Sequence, residues 1–510
     1  MKPDAQSHRS VEIELKLALP TSHPASLAKR LAQTPALARR KATHQQLHNV
    51  YYDTSEQILR RQRVALRIRR IGSEAKPQWL QTLKIGGSSD SADSALSQRG
   101  EWETPVPSAA LATANLEATP WSGIDPDGTV FRALAPCFVT HFERTSWLVS
   151  RRGGSVVEVA LDIGQIVAGD KQTPICELEF ELKAGEPAAL FELALQIAQT
   201  IAVLPLTISK SERGYALAQD DLDLPLRALP PKLSSKLPLS ETARRVLREM
   251  FSQFTTNLNA LRSSDDPEMV HQARIGWRRF RSAVRLFKPV FAGGALPSWQ
   301  ALRVLLNFLG ELRDLDVARF DTLPPLADAY ATGDKQRTAA WQSMNLALMH
   351  AAQLQRKSVR YALNDPAVGA SLLAITQWLA DAPTASALSE SALKQDEALR
   401  PWARRRIDKL HKQFKRALKD ANKSTASDEV NVQHQARIQA KQMRYGIEAL
   451  DSVLPKKHAQ HWLDQATGMQ TRIGATRDLV QAVALVARLE IDRELVGFLR
   501  GVAVGRSKPR

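Results

Sequence analysis

The chain has 510 residues, 44% of them hydrophobic and 24% charged, which excludes a disordered or fibrous protein and leaves room for two or three domains. No apolar run approaches the roughly 20 residues that span a bilayer, the first residues lack a signal-peptide core, and Cys137 and Cys176 are too few for a disulfide framework. No membrane association and a reducing cytoplasm are the expectations. The net charge of +17 is unevenly placed: residues 1–225 hold 25 Lys and Arg against 26 Asp and Glu, leaving 45 against 27 of the total 70 and 53 for the remainder. A basic excess confined to the second half calls for a polyanionic partner.

In chain order, period-two alternation predicts strands at VEIELKL from Val11, ALRIR from Ala65, VALDIG from Val159 and CELEFELK from Cys176. Helical patterns run from about Ser26 to Arg40 and from Ala188 to Ile201, and the composition from Gly86 to Gln98 is that of a flexible loop. Residues 1–222 therefore read as a strand-rich α+β domain. A proline-rich linker follows over 223–238, with Pro225, Pro230, Pro231 and Pro238 at its limits and within it. Residues 239–510 show helical periodicity rich in Ala, Leu and Arg, which predicts an all-α domain; Ala367 to Glu397 fits no motif within it.

The strand patterns share a habit of placing charge of both signs on one face. Glu12, Glu14 and Lys16 alternate with apolar residues. So do Arg67 with Arg69, and Glu177, Glu179 and Glu181 with Lys183; Lys84, Glu101, Glu103, Arg144 and Asp162 lie in similar runs. Strands of this kind closed into a barrel would line a polar tunnel. Lys and Arg on several walls suit a chain of phosphates. The carboxylates, which phosphate alone would repel, suit a hard divalent cation such as Mg²⁺ or Mn²⁺ bridging to it. No Walker-type glycine loop is present.

ExExK at Glu12 to Lys16, LRIR around Arg67 and Arg69, ExExExK at Glu177 to Lys183 and SKSERGY with Lys210 and Arg213 together resemble the CYTH superfamily, the triphosphate tunnel metalloenzymes, over roughly Arg9 to Ala218. The resemblance implies an eight-stranded antiparallel tunnel barrel that hydrolyses inorganic triphosphate. By position, Lys16, Arg67, Arg69, Lys84, Arg144, Lys183 and Lys210 would grip phosphates, and Glu12, Glu14, Glu177 and Glu179 would hold Mg²⁺ or Mn²⁺. Asp162, Glu101 and Glu103 are weaker candidates, able instead to orient the basic residues through salt bridges. Adenylate cyclase, or hydrolysis of thiamine or nucleoside triphosphate, on the same tunnel are the alternatives at this point. A non-catalytic polyphosphate or nucleic-acid binding protein is another.

The second half repeats itself. HQARIGWRRFRSAVRLF from His271 returns as HQARIQAKQMRYGIEAL from His434, and Gly310, Arg313 and Asp314 return as Gly474, Arg477 and Asp478, which indicates a duplicated helical unit. At 100° per residue His271, Arg274, Arg278 and Arg281 share an arc of about 80° on one helix, as do His434, Arg437, Lys441 and Arg444 on another. Trp277 and Phe280 project outside that arc, which counts against stacking of single-stranded nucleic acid. The paired HxxRxxx(R/K)xxR and GxxRD motifs resemble the CHAD domain, from about Leu239 to Arg500. The resemblance implies helical bundles around a basic pore that binds inorganic polyphosphate through those eight residues.

Overall fold

The computed structural model describes residues 10–20, 23–86, 94–222, 224–291, 295–381, 398–423, 429–489 and 491–507. They form two compact units: Met1–Pro225 with Pro297–Ala301 and Leu363–Ala380, and Leu226–Leu296 with Leu302–Ala362 and Asp381–Arg510. No helix among the described residues is long and apolar enough to cross a membrane.

The first unit is built on β1 (Ser10–Ala18), β2 (Ala42–Asp53), β3 (Val64–Ile71), β4 (Gln78–Gly86), β5 (Leu96–Val106), β6 (Ala135–Ser150), β7 (Val156–Ala168) and β8 (Lys171–Ala184). The order β5-β4-β3-β2-β6-β7-β8-β1 closes because β1 pairs with both β8 and β5, giving an eight-stranded antiparallel barrel. A two-residue strand, Leu204–Pro205, also pairs with β1.

Alternation places charge inside this barrel and apolar side chains outside it. Leu15, Leu17, Trp147, Val159, Leu161, Leu178 and Phe180 point outward into a core completed by Leu190, Phe191, Leu193 and Ile197 of the helix Ala188–Ala198. A second outer core covers β3 to β5 through Val64, Leu66, Leu83 and Trp102. The interior is not polar throughout. Leu47, Tyr51, Phe138, Phe142, Ile166 and Ile175 face inward and pack with Tyr215 and Leu217 of the helix Lys210–Ala218.

Two local expectations are corrected. The helix read over Ser26 to Arg40 is realised as Leu27–Ala32 after a 3-10 turn at Pro24–Ser26, because Pro35 has no amide hydrogen and disfavours helical backbone at Thr34. Gly86 ends β4 and Leu96 to Gln98 begin β5, so the loop read over Gly86 to Gln98 is shorter; residues 87–93 lie outside the described set.

In the second unit the helices Leu239–Ala260, Pro267–Leu286 and Arg303–Val317 are matched in order by Leu399–Lys423, Glu429–Leu450 and Lys456–Arg488, the structural form of the duplication. Asp266 starts the helix Pro267–Leu286 by accepting the Glu268 amide at 2.8 Å, with proline at the first helical position. The described residues after Pro205 contain no strand. One helix of the second half, Pro366–Asp381, lies within the barrel unit, where Leu373 joins the main outer core. It occupies much of the stretch that fits no motif; residues 382–397 lie outside the described set.

Candidate functional site

The barrel encloses a cavity of about 510 Å³, within the range of ordinary ligand pockets. Glu12, Glu14 and Lys16 reach it from β1, Arg67 and Arg69 from β3, Lys84 from β4, and Glu101 and Glu103 from β5. Arg144 reaches it from β6, Glu179 and Lys183 from β8, and Lys210 from the helix that follows the barrel. A capping box sets that last residue: the Ser209 amide donates to Glu212 at 2.7 Å and the Glu212 amide to Ser209 Oγ at 3.2 Å, fixing Lys210 at the first helical position.

Inside the cavity most of the cations are matched to carboxylates. Lys84 Nζ donates to both oxygens of Glu12, at 2.9 and 2.7 Å, and lies 3.1 Å from Glu101. Lys16 pairs with Glu14. Arg144 makes a two-pronged contact with Asp162, at 2.7 Å on each arm, and also pairs with Glu179. Lys210 reaches Asp162 at 2.6 Å, Glu179 at 2.9 Å and Glu177. Lys183 joins Glu158 at 3.2 Å and Glu181 at 2.6 Å.

These pairings set the protonation states. Burial works to raise the Glu179 carboxyl, but Lys210, Arg144 and Lys16 hold it well below the usual carboxylate range. Burial works to lower Lys84 and Lys210, but Glu12 and Glu101 hold the first ammonium high, and Asp162, Glu177 and Glu179 hold the second. Arg69 is pushed down to about 10 by burial, with Arg67 and Arg144 adding like charge.

Asp162, Glu177 and Glu179 bring carboxylate oxygens within 4.8 Å of one another. A set of oxygens only is the chemistry of a hard divalent cation, so these residues fit one, with Lys210 and Arg144 as its present competitors. Asp162, a weaker sequence candidate, is thus central. Glu12 and Glu14 instead stand on β1, engaged by Lys84 and Lys16. Glu101 lies 3.8 Å from Arg67 and Glu103 3.8 Å from Arg69, the orienting arrangement allowed for both. Sequence reasoning passed over Asn49 and Tyr51, whose signal was the alternation Asn49, Tyr51, Asp53 along β2.

In the second unit the two stripe helices pack on one another. Arg278 bears on both Arg437 and Lys441, as does Arg477 of the second GxxRD motif. Burial and Arg278 push Arg274 down to about 10, while Asp314 of the first GxxRD motif opposes them. A Cβ at Gly310 of that motif would lie 2.9 Å from Arg274 Nη1, so a larger residue there would displace the end of that side chain. Two guanidinium nitrogens of Arg437, Nε and Nη1, are buried with no hydrogen-bond partner among the described residues. Arg444 pairs with Glu448 at 3.2 Å and Gln470 at 3.2 Å. His271 lies near Arg313 and Arg278. Arg281 stands apart, exposed, with Arg285 as its charged neighbour. The His434 side chain lies outside the described residues.

Residues 10–215 match the model of the CYTH domain, and residues 245–487 that of the CHAD domain. Over 210 residues the chain is 36% identical to an inorganic triphosphatase of Haemophilus influenzae, covering 40% of this chain and 54% of that protein. The chain thus spans about half the length of that curated relative. A CHAD domain from the plant Ricinus communis is 28% identical, with a TM-score of 0.46, covering 55% of this chain and 91% of that one. A Hippeastrum protein described as a candidate adenylyl cyclase with a dominant triphosphatase activity is 18% identical, with a TM-score of 0.27, over 40% of this chain and 95% of that one.

Proposed function

Since the chain carries a CYTH domain followed by a CHAD domain, we propose that its tunnel hydrolyses inorganic triphosphate to pyrophosphate and phosphate with a divalent metal, and that its basic helical cluster binds inorganic polyphosphate. The observation that carries the first part is the pairing of nearly every cation in the cavity with a carboxylate. A bare polyanion would meet the carboxylates of Glu12, Glu14 and Glu179, and a bare cation would meet Lys16, Lys84 and Lys210. Only a polyanion arriving with its own cation offers a new partner to both sets.

On this reading Lys16, Lys84, Arg144, Lys183 and Lys210 exchange carboxylate for phosphate oxygens, and with Arg67 and Arg69 they hold the chain of phosphates extended. Asp162, Glu177 and Glu179 would hold Mg²⁺ or Mn²⁺, with Glu12 and Glu14 completing the acidic wall. The metal would supply charge neutralisation and polarise the phosphoryl group. In the hydrolysis a water oxygen bonds to the terminal phosphorus, the bond from that phosphorus to the bridging oxygen breaks, and pyrophosphate leaves with the electron pair. The arginines and lysines stabilise the charge that accumulates on both sides.

For polyphosphate, the supporting observation is the convergence of Arg274, Arg278, Arg437, Lys441, Arg444 and Arg477, where Arg437 keeps two buried donors without a partner among the described residues. His271 would border this cluster, His434 is its counterpart in the sequence repeat, and Arg281, exposed on the same helix as Arg278, would engage a longer chain.

The test is phosphate release by the full chain from tripolyphosphate, ATP, thiamine triphosphate and long-chain polyphosphate, with Mg²⁺, Mn²⁺ or chelator. Tripolyphosphate should be cleaved fastest and chelator should abolish turnover. Glu179→Gln, which removes charge at nearly constant volume, should lower kcat by about a hundredfold. Cyclic AMP from ATP with no phosphate from tripolyphosphate would establish the cyclase alternative instead.

A further inference from the structure

The two tunnel arginines on β3 present a problem of aim. Arg67 and Arg69 are two residues apart on one face, both buried or nearly so, and each adds like charge to the other. A guanidinium held only by a carboxylate keeps its geometry but has its charge cancelled toward an incoming phosphate. β2 offers something different directly opposite each arginine. Its register with β3 sets Asn49 against Arg69 and Tyr51 against Arg67.

Both neighbours are neutral acceptors. Arg69 Nε donates to Asn49 Oδ1 at 2.8 Å, and Asn49 is fixed from behind by donating through Nδ2 to Thr140 Oγ1 at 2.9 Å. Arg67 Nη1 donates to the Tyr51 hydroxyl at 3.2 Å, and the Tyr51 ring is fixed by stacking on Phe138 with centroids 4.6 Å apart. Asn49 and Tyr51 are fully or almost fully buried, so neither trades these bonds for water. The carboxylates of Glu101 and Glu103 stand farther off, each at 3.8 Å. Arg67 Nε is buried with no hydrogen-bond partner among the described residues.

We propose that Asn49 and Tyr51 are positioning residues that aim Arg69 and Arg67 at the substrate phosphates without adding negative charge to that of Glu101 and Glu103. This rests on the triphosphate reading of the tunnel. It adds two β2 residues that touch no reacting atom and act through the arginines. The neutrality of the acceptor is the specific content: an acceptor of the same shape but negative charge should hold the arginine at least as firmly and yet weaken phosphate binding.

The experiment uses the full chain with Tyr51→Phe, which removes only the hydroxyl and keeps the ring stack, and Asn49→Asp, which keeps the acceptor and adds charge. Steady-state hydrolysis of tripolyphosphate is measured alongside calorimetric binding of tripolyphosphate without metal and the thermal midpoint. Each variant should raise KM and weaken binding by about tenfold or more, with a smaller change in kcat, while the midpoint stays near wild type. Wild-type affinity in Asn49→Asp would show that Asn49 is merely structural, and wild-type KM in Tyr51→Phe would remove Tyr51 from the proposal. A wild-type chain that binds tripolyphosphate without cleaving it would overturn the hydrolase reading alone. The calorimetric comparison would then still decide the role of Asn49 and Tyr51.

Discussion

Lys441 is pushed down to about 7 by burial and by the charges of Arg278, Arg437, Arg477 and Arg444. Its ammonium is therefore mostly charged at pH 6 and mostly neutral at pH 8.5. A bound polyanion favours the charged form, so binding should take up a proton above pH 7 and affinity should fall as pH rises through that value. His271 is itself held below its usual value by burial and Arg313. Titration of long-chain polyphosphate into the full chain between pH 6.5 and 8.5 should show affinity weakening severalfold. Lys441→Arg, which cannot lose its charge in this range, should flatten the profile. A flat profile in wild type would mean that Lys441 does not meet the ligand.

At the level of elements, the helix Pro366–Asp381 ties a piece of the second half to the barrel's fold. Leu373 is fully buried in the core that backs β1, β6, β7 and β8, and Ser371 Oγ donates to the Ser298 carbonyl at 3.1 Å. Truncating a leucine in such a site costs about 2–5 kcal/mol, and each kcal/mol moves the midpoint of a unit this size by about 2–4 °C. Leu373→Ala should thus lower the thermal midpoint of the barrel by about 5–15 °C. Leu346→Ala, at a position 62% exposed on the helix Lys335–Leu363, should change it little. Equal midpoints for the two variants in scanning calorimetry would show that the helix contributes nothing to the barrel.

For the molecule as a whole, the charge partition matters more than the total. The first 225 residues are nearly neutral and the remainder carries the whole excess, so long polyanions will be drawn to the second half and will leave as salt rises. Salt dependence therefore does not discriminate between a polyphosphate site and a generic basic surface; competition does. Duplex DNA at equal phosphate concentration should displace polyphosphate poorly, because Arg274, Arg437 and Lys441 are only partly exposed where the two stripe helices pack, and a wide duplex reaches them less readily than a bare phosphate chain. Arg274→Gln with Arg437→Gln should weaken polyphosphate binding far more than Lys456→Gln with Lys457→Gln, two exposed lysines outside the cluster. Equal losses, or easy displacement by DNA, would leave the second half a nonspecific polycation.

The amino-acid sequence by itself determined the strand faces, the class of each half, the duplication and most of the tunnel lining, because alternation and helical periodicity are local properties of neighbouring side chains. Glu12, Glu14 and Lys16 had to face one way once Val11, Ile13 and Leu15 faced the other. What the chain could not display locally was partnership. Asp162 enters the acidic cluster only because β7 pairs with β8 in the register that sets it beside Glu177. Lys210 joins them from a helix beyond the barrel, and Asn49 and Tyr51 acquire a role only through the register of β2 with β3. In the helical half, Arg278 meets Lys441 across a helix pair while Arg281, three residues on, stays with Arg285. The helix Pro366–Asp381, featureless as a motif, belongs to the barrel through Leu373. Register, barrel closure and helix docking are set by contacts between residues far apart in the chain, and those contacts decide which of the charges visible in the sequence face one another.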